Sequence, residues 1–216
     1  MASDQADEDA SLFSRLWDKL VFFGHFFKNP MALSTPMECS QRIANTVRDE
    51  LQQHNARRVV ELGSGVGSIT RGVLEAVPPE EKLLCVEQEP MFCERLRKRF
   101  GDRIELVEAD ALQLGDILDG SSFSDPDALV CSVPLNTQRT SKLCGIIAEH
   151  ISPQCLYLQI SFTKSPLKPY FDLVRTHNDL FNIPPERVHV AFLRQTAAAD
   201  SGADEALEGR SRARAH

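Results

Sequence analysis

The run Arg57-Arg58-Val59-Val60-Glu61-Leu62-Gly63-Ser64-Gly65-Val66-Gly67 constrains this chain more than any other stretch. It sets an apolar strand, a carboxylate near its end, and a loop with glycine at every second position. Alternate glycines strip the β-carbons from a strand-to-helix turn. A ligand can then lie against bare main chain and meet the free amides at the start of the following helix. Such a loop suits a nucleotide-like ligand and belongs at the tip of a parallel strand in an α/β sheet.

Spacing narrows the ligand. A dinucleotide fold asks for G-x-G-x-x-G/A, the last small residue letting helix and strand pack closely. Counted from Gly63 and Gly65 that position is Ser68, and the third glycine comes one residue early, at Gly67. Two further acids follow. Glu87 closes the apolar run Leu83-Leu84-Cys85-Val86 about 20 residues beyond the loop, where a carboxylate can accept both ribose hydroxyls. Asp110 closes the run 104–109. One acid after a strand is ordinarily a helix cap or a solvated turn. Acids at three consecutive strand ends, Glu61, Glu87 and Asp110, point instead to a nucleoside site.

The rest of the chain reads as the same architecture. Thr35-Pro36-Met37-Glu38 places a cap, a first-turn proline and a capping-box acid ahead of a helix whose apolar face is Met37, Ile43, Ala44, Val47 and Leu51. Strands are expected over 57–62, 82–87, 104–109, 127–135, 154–162 and 187–193. Helices are expected from Gly67 to about 77, over 90–100, near 112–118 and from about 140 to 150, while 170–182 fits neither pattern cleanly. Strand and helix in alternation specify a doubly wound, mostly parallel sheet, and ligands on such sheets bind outside the carboxyl ends of the strands. The end of the fourth strand, Cys131-Ser132-Val133-Pro134-Leu135, should therefore face the same crevice as the glycine loop.

Ahead of this domain, residues 11–29 form a different kind of segment. Leu12, Leu16, Leu20, Phe23 and Phe27 share one helical stripe, with Phe13, Trp17 and Val21 beside it and Arg15, Asp18, Lys19 and Lys28 mostly elsewhere. This is either a lid over the sheet or a helix lying in a bilayer interface, with its aromatics at the acyl boundary and its cations on anionic headgroups. Residues 1–10 and 196–216 are polar tails of disordered composition, which leaves 30–195 as the α/β domain.

Composition excludes several classes. The net charge is −7, and four of the acids, Asp4, Asp7, Glu8 and Asp9, crowd the first ten residues. No basic face of the kind that holds nucleic acid is evident. The six cysteines form no C-x-x-C pair and the six histidines no metal-ligand spacing, so no metal is assigned. The acidic start is unlike a signal peptide, and no apolar run approaches the ~18 residues of a membrane span; with cysteines that pack as reduced thiols, a cytoplasmic location is expected.

Glu61 ahead of Gly63, Gly65 and Gly67 resembles motif I of class I S-adenosylmethionine-dependent methyltransferases, and residues 12–195 resemble the bacterial phospholipid N-methyltransferases, relatives of the rRNA adenine dimethylases. The resemblance runs through Phe27-Lys28-Asn29-Pro30, the glycine loop with Thr70-Arg71, Val86-Glu87 with Phe92 and Arg99-Phe100, Glu108-Ala109-Asp110-Ala111, the segment 127–135, Gln159, Lys164-Ser165-Pro166, and Asn182-Ile183-Pro184-Pro185. It implies a seven-stranded Rossmann-like sheet and S-adenosylmethionine as cofactor. The cofactor set it implies is Glu61, Gly63, Ser64, Gly65, Gly67, Glu87, Gln88, Ala109, Asp110 and Ala111, and the acceptor turn is Ser132, Val133, Pro134 and Leu135. Where that family has Ser-Gly-Leu-Pro-Leu this chain has Cys131-Ser132-Val133-Pro134-Leu135, and a tyrosine expected near the end of the fifth long strand is Phe162.

The implied reaction is methyl transfer to the amine of a phospholipid, phosphatidylethanolamine and its methylated forms or a related amino lipid, by an enzyme held peripherally at the inner face of the membrane. Arg42, Arg139 and Lys164 are candidates for the lipid phosphate, and His25 is the one conceivable base. An rRNA adenine N6-methyltransferase or a small-molecule methyltransferase is the alternative. The adenine enzymes carry Asn-(Leu/Pro)-Pro-Tyr at the acceptor turn, an amide for the exocyclic amine and a ring for the flipped base. Ser132 to Leu135 offers neither.

Overall fold

Strands that are apolar on both faces are stable only between two layers of helix, and the run Val59-Val60-Glu61-Leu62 is fully buried. A computed structural model describes residues 34–133, 137–161, 167, 169–180 and 185–194. Within these, the elements are α1 (Ser34–Gln53), β1 (Val59–Leu62), α2 (Ser68–Ala76), β2 (Leu83–Glu87), α3 (Pro90–Phe100), β3 (Ile104–Glu108), α4 (Leu114–Asp119), β4 (Ala128–Cys131), α5 (Thr137–His150), β5 (Leu156–Ser161), β6 (Phe171–Asp179) and β7 (Glu186–Leu193). The expected segments 1–10, 11–29 and 196–216 lie outside the described residues, as do His25, Lys164 and the side chain of Arg139. The chain divides into two units, residues 1–39 and 40–216, and the whole sheet belongs to the second.

The strands form one seven-stranded sheet in the order β3-β2-β1-β4-β5-β7-β6. Pairing is parallel from β3 through β5, and β7 runs antiparallel between β5 and β6. This is the doubly wound class I methyltransferase fold anticipated above. The order reverses at β1, whose neighbours are β2 and β4, and that switch point opens a crevice at the strand tips.

Side-chain alternation builds one core on each face. Val60, Leu62, Leu84, Val86, Leu129 and Tyr157 pack with Leu114 and Leu118 of α4 and Leu143 and Ile147 of α5. Val59, Leu83, Cys85, Val130, Leu156 and Leu158 pack with Ile43, Val47 and Leu51 of α1, Val73 of α2 and Leu96 of α3. Of the face expected for α1, Ile43, Ala44, Val47 and Leu51 are all buried. The helix begins at Ser34, one residue ahead of the expected cap at Thr35, a difference within the ordinary fraying of helix ends.

The ambiguous stretch 170–182 contains β6, the sheet's edge strand. Leu173 pairs with Ala191 and Arg175 with Val190, so Val174 is an extra residue in a bulge. One inserted residue reverses the inside–outside phase of a strand. The period-two pattern is broken there, which hides the strand from a reading of the sequence. The fourth strand spans Ala128–Cys131, shorter than the expected 127–135, whose last two residues, Pro134 and Leu135, lie outside the described residues.

Candidate active site

The candidate site begins with the loop between β1 and α2. Gly63, Gly65 and Gly67 have φ of 75°, 53° and 82°, left-handed values that L residues adopt only at a cost. Their surroundings differ. A β-carbon at Gly67 would stand 2.5 Å from the Phe100 ring, and one at Gly63 would stand 3.1 Å from the Val133 amide nitrogen and side chain. At Gly65 the nearest atom would be 4.0 Å away, the Gly63 carbonyl of the loop itself. Gly67 and Gly63 are therefore glycine for packing, and Gly65 leaves open space on the loop.

Neighbouring elements hold this loop in place. Gly63 N–H donates to Val86 O (2.8 Å) and Gly67 N–H to Ser64 O (2.9 Å). From the last turn of α3, Arg99 donates to Val66 O (3.1 Å), and its guanidinium lies 5.0 Å from the Phe100 ring centre. The Glu87 carboxylate accepts from Gly65 N–H (2.8 Å) with one oxygen and from Glu89 N–H (2.9 Å) with the other. The acid expected to serve a ribose thus braces the loop as well, and each oxygen keeps acceptor capacity.

Period-two alternation sends Glu61 to the same face as Val59, under α2. It is fully buried, and Oε2 accepts from the Thr70 hydroxyl (2.7 Å). Burial raises its carboxyl from 4.5 to about 7, and hydrogen bonding from Thr70, Ser64 and Cys85 pulls the other way. Glu61 Oε1 and the hydroxyl of Ser64 are both buried, and neither makes a hydrogen bond of good geometry among the described residues. Orphaned buried polar atoms are rare and costly. An unpaired carboxylate oxygen and a hydroxyl under an open glycine loop fit a ligand that brings a cation and hydrogen-bonding groups. Thr70 is part of the family resemblance beside the glycine loop, but its role as the partner of Glu61 is given by the fold.

The third acid behaves differently. Asp110 caps a single 3-10 turn, Ala111–Gln113, accepting from Leu112 N–H (3.0 Å) while Gln113 accepts from Asp110 N–H (3.2 Å). Ala109 N–H donates to Glu87 O (3.0 Å), which brings the β3 tip level with that of β2. Ala111 is buried and Gln88 exposed. The structure thus brings Glu61, Gly63, Ser64, Gly65, Gly67 and Glu87 into one cluster, with Ala109, Asp110 and Ala111 on the adjoining strand tip.

On the other side of β1, Ser132 N–H donates to Leu62 O (2.9 Å), and Val133 lies against Gly63. Pro134 and Leu135 lie outside the described residues. Two residues missed as site candidates stand behind this turn. Gln159 and Tyr157 are both fully buried, and Gln159 Nε2 donates to Cys131 O (3.0 Å). Arg42, a candidate for a lipid phosphate, is half-exposed and lies 3.9 Å from Asp179. No group of metal-ligating side chains is found among the described residues. Two concavities lie away from the glycine loop, one of about 260 Å³ between Leu51, Arg57 and Pro78 and a shallower one along α5 beside Tyr170.

Comparison with known proteins agrees with this arrangement. The chain is 29% identical over 179 residues to an ornithine lipid N-methyltransferase of Singulisphaera acidiphila, spanning 78% of this chain and 92% of that protein. It is 40% identical over 84 residues to the ribosomal RNA small subunit methyltransferase A of Kineococcus radiotolerans, but there the match spans 36% of this chain and 26% of that protein. Among solved structures, the O-methyltransferase TomG of Streptomyces achromogenes, in complex with S-adenosylmethionine, superimposes with a TM-score of 0.59 at 14% identity over 82% of this chain and 96% of that one. An O-methyltransferase of Bacillus cereus in complex with S-adenosylhomocysteine gives 0.59 at 11% identity over 71% and 81%. These two show the fold alone. The family model for ribosomal RNA adenine dimethylase matches residues 27–154, and the chain belongs to that family of S-adenosylmethionine-dependent methyltransferases.

Proposed function

We propose that this enzyme methylates the amine headgroup of a phospholipid, phosphatidylethanolamine and its methylated forms or a related amino lipid, at a membrane surface. The observation that carries this reading is the turn after β4. Ser132 and Val133 abut Gly63 at the strand tips, yet Ser132-Val133-Pro134-Leu135 contains neither a carboxamide nor an aromatic ring. A flipped adenine needs both, whereas a small aliphatic amine needs only carbonyl or hydroxyl acceptors. The match to a lipid N-methyltransferase over 78% of this chain supports the same reading, as does the net charge of −7, which disfavours an RNA footprint.

A bound sulfonium supplies an activated methyl group, so the protein's part is to position the acceptor and exclude water. Gly65, with open space above it, presents bare backbone to the cofactor, and Glu61 and Ser64 offer a carboxylate oxygen and a hydroxyl from below. Glu87 holds the loop and keeps acceptor capacity for ribose hydroxyls. On the acceptor side, the Ser132 hydroxyl and the backbone carbonyls of the turn would hold the amine in line with the methyl group. Residues 11–29 would attach the enzyme to the bilayer, with Trp17 and Phe23 in the interface and the cations on anionic headgroups. The methyltransferase domain then occupies 30–195, between polar tails, at the inner face of the membrane. No helix among the described residues is long and apolar enough to cross a membrane.

The second reading, methylation of ribosomal RNA adenine, is favoured by the family model itself. Incubation with methyl-labelled S-adenosylmethionine, amino-lipid vesicles and unmethylated small-subunit rRNA decides between them. Label in the lipid upholds the proposal, and label in RNA alone overturns it. Trp17→Asp and Phe23→Asp should abolish binding to anionic vesicles while leaving cofactor affinity unchanged.

A further inference from the structure

The peptide between Cys131 and Ser132, the last before the acceptor turn, is held from both sides. Its N–H donates to Leu62 O on β1 at 2.9 Å. Its carbonyl accepts from the Gln159 side chain on β5 at 3.0 Å. The second Nε2 hydrogen of Gln159 goes to Ile160 O (2.9 Å), and its Oε1 accepts from the Tyr157 hydroxyl. Tyr157 stacks on Phe171 with ring centres 4.5 Å apart. Both donors and the acceptor of the carboxamide are therefore engaged, and a flipped amide would set its oxygen against two carbonyls.

A glutamine here is expensive. It is wholly buried between Leu158 and Ile160, where burying an amide and freezing a long side chain both oppose folding. A leucine would serve sheet cohesion without those costs. What the glutamine adds is a fixed orientation for one peptide plane at the point where β4 leaves the sheet. The next amide nitrogen, that of Val133, stands 3.1 Å from where a Gly63 β-carbon would be, and Ser132 Oγ is buried without a partner among the described residues. A small rotation of the clamped peptide would carry both into a different relation to the glycine loop.

We propose that Gln159, braced by Tyr157, is a positioning residue for methyl transfer. It fixes the Cys131–Ser132 peptide plane so that Ser132 and Val133 keep their place beside the glycine loop for the incoming amine. The inference rests on the reading of Ser132 and Val133 as part of the acceptor subsite. It touches neither cofactor nor acceptor directly, so its signature is a loss of turnover without loss of cofactor affinity.

The test compares wild type, Gln159→Met, Gln159→Glu and Tyr157→Phe in the full chain. Cofactor Kd is measured by calorimetry, and kcat and KM with phosphatidylethanolamine in vesicles containing an anionic lipid. Gln159→Met, close in volume, should lower kcat about 10- to 100-fold with cofactor Kd within about threefold. In Gln159→Glu the buried carboxyl stays protonated at low pH and still donates to Cys131 O. Its kcat relative to wild type should be near one at about pH 6 and fall about tenfold or more toward pH 9, a profile that mere packing damage would not produce. Should Gln159→Met fail to fold, Tyr157→Phe removes only the brace and should show the same kcat-selective loss at smaller size. Turnover within threefold of wild type in the folded variants, or turnover and cofactor affinity falling together, overturns the proposal. If wild type labels RNA and not lipid, the lipid reading fails. The same comparison on RNA then upholds the clamp if kcat alone falls and overturns it if not.

Discussion

Replacing Glu61 with glutamine separates charge from shape beneath the glycine loop. The wild-type carboxyl is fully buried, its Oε2 accepts from the Thr70 hydroxyl and the Cys85 thiol, and burial outweighs these bonds and raises it from 4.5 to about 7. In the unfolded chain the group releases its proton as pH rises through 4.5, while the folded protein holds it to about 7. Stability from this group is therefore complete below 4.5 and is lost as pH rises through about 7. At about 1.4 kcal/mol per pH unit, the interval amounts to about 3 kcal/mol.

Glutamine keeps an acceptor for Thr70 and cannot ionise. Its unmatched amide costs about 1–3 kcal/mol at every pH, so the absolute stability of Glu61→Gln is not the readout. The change in the stability difference with pH is. Urea unfolding of both proteins without cofactor, at pH 4.5 and at pH 8, should show the variant gaining about 3 kcal/mol relative to wild type across that range. Other titrating groups cancel in the difference. A stability difference that stays constant within about 1 kcal/mol would refute the claim that an uncompensated carboxylate is buried under the loop.

Gly65→Val puts a side chain into open space at φ 53°, so it should cost about 1–2 kcal/mol of stability yet abolish S-adenosylmethionine binding by calorimetry; wild-type affinity would remove Gly65 from the site. Gly67→Ala drives a methyl to 2.5 Å from the Phe100 ring at φ 82° and should cost about 3 kcal/mol in chemical denaturation, part of which Phe100→Ala in the same chain recovers. Cys131, Cys144 and Cys155 are buried, which pushes their thiols up to about 11, 12 and 12. All three should resist iodoacetamide at pH 8 in the native protein and react fully in denaturant, as followed by mass spectrometry of the labelled peptides.

Much of the fold was legible because parallel strands buried on both faces must be apolar throughout. Leu83-Leu84-Cys85-Val86 and Ala128-Leu129-Val130-Cys131 announce themselves for that reason. The edge strand β6 was hidden by its bulge at Val174, where one extra residue inverts the alternation. The glycine loop was legible because its function removes side chains at fixed spacing. Why each glycine is needed was not, since Phe100 at Gly67 and Val133 at Gly63 arrive from distant segments. Thr70 and Gln159 were marked by the family resemblance, but their pairings, Thr70 under Glu61 and Tyr157–Gln159 behind Cys131, are tertiary and no local pattern shows them. Asp110 stands at the strand tip where a nucleoside acid was expected and caps a 3-10 turn there, a local role that a lone acid after a strand already suggests.

The central claim is that the strand tips from Gly63 to Glu87 on one side and Ser132–Val133 on the other enclose the cofactor and its methyl. A crystal structure with S-adenosylhomocysteine tests it most directly. The account predicts the ligand against Gly65, its amino-acid end over Glu61 and Ser64, its ribose at Glu87, and its sulfur turned toward Ser132. A ligand bound elsewhere, or a glycine loop left empty at saturating concentration, would contradict it.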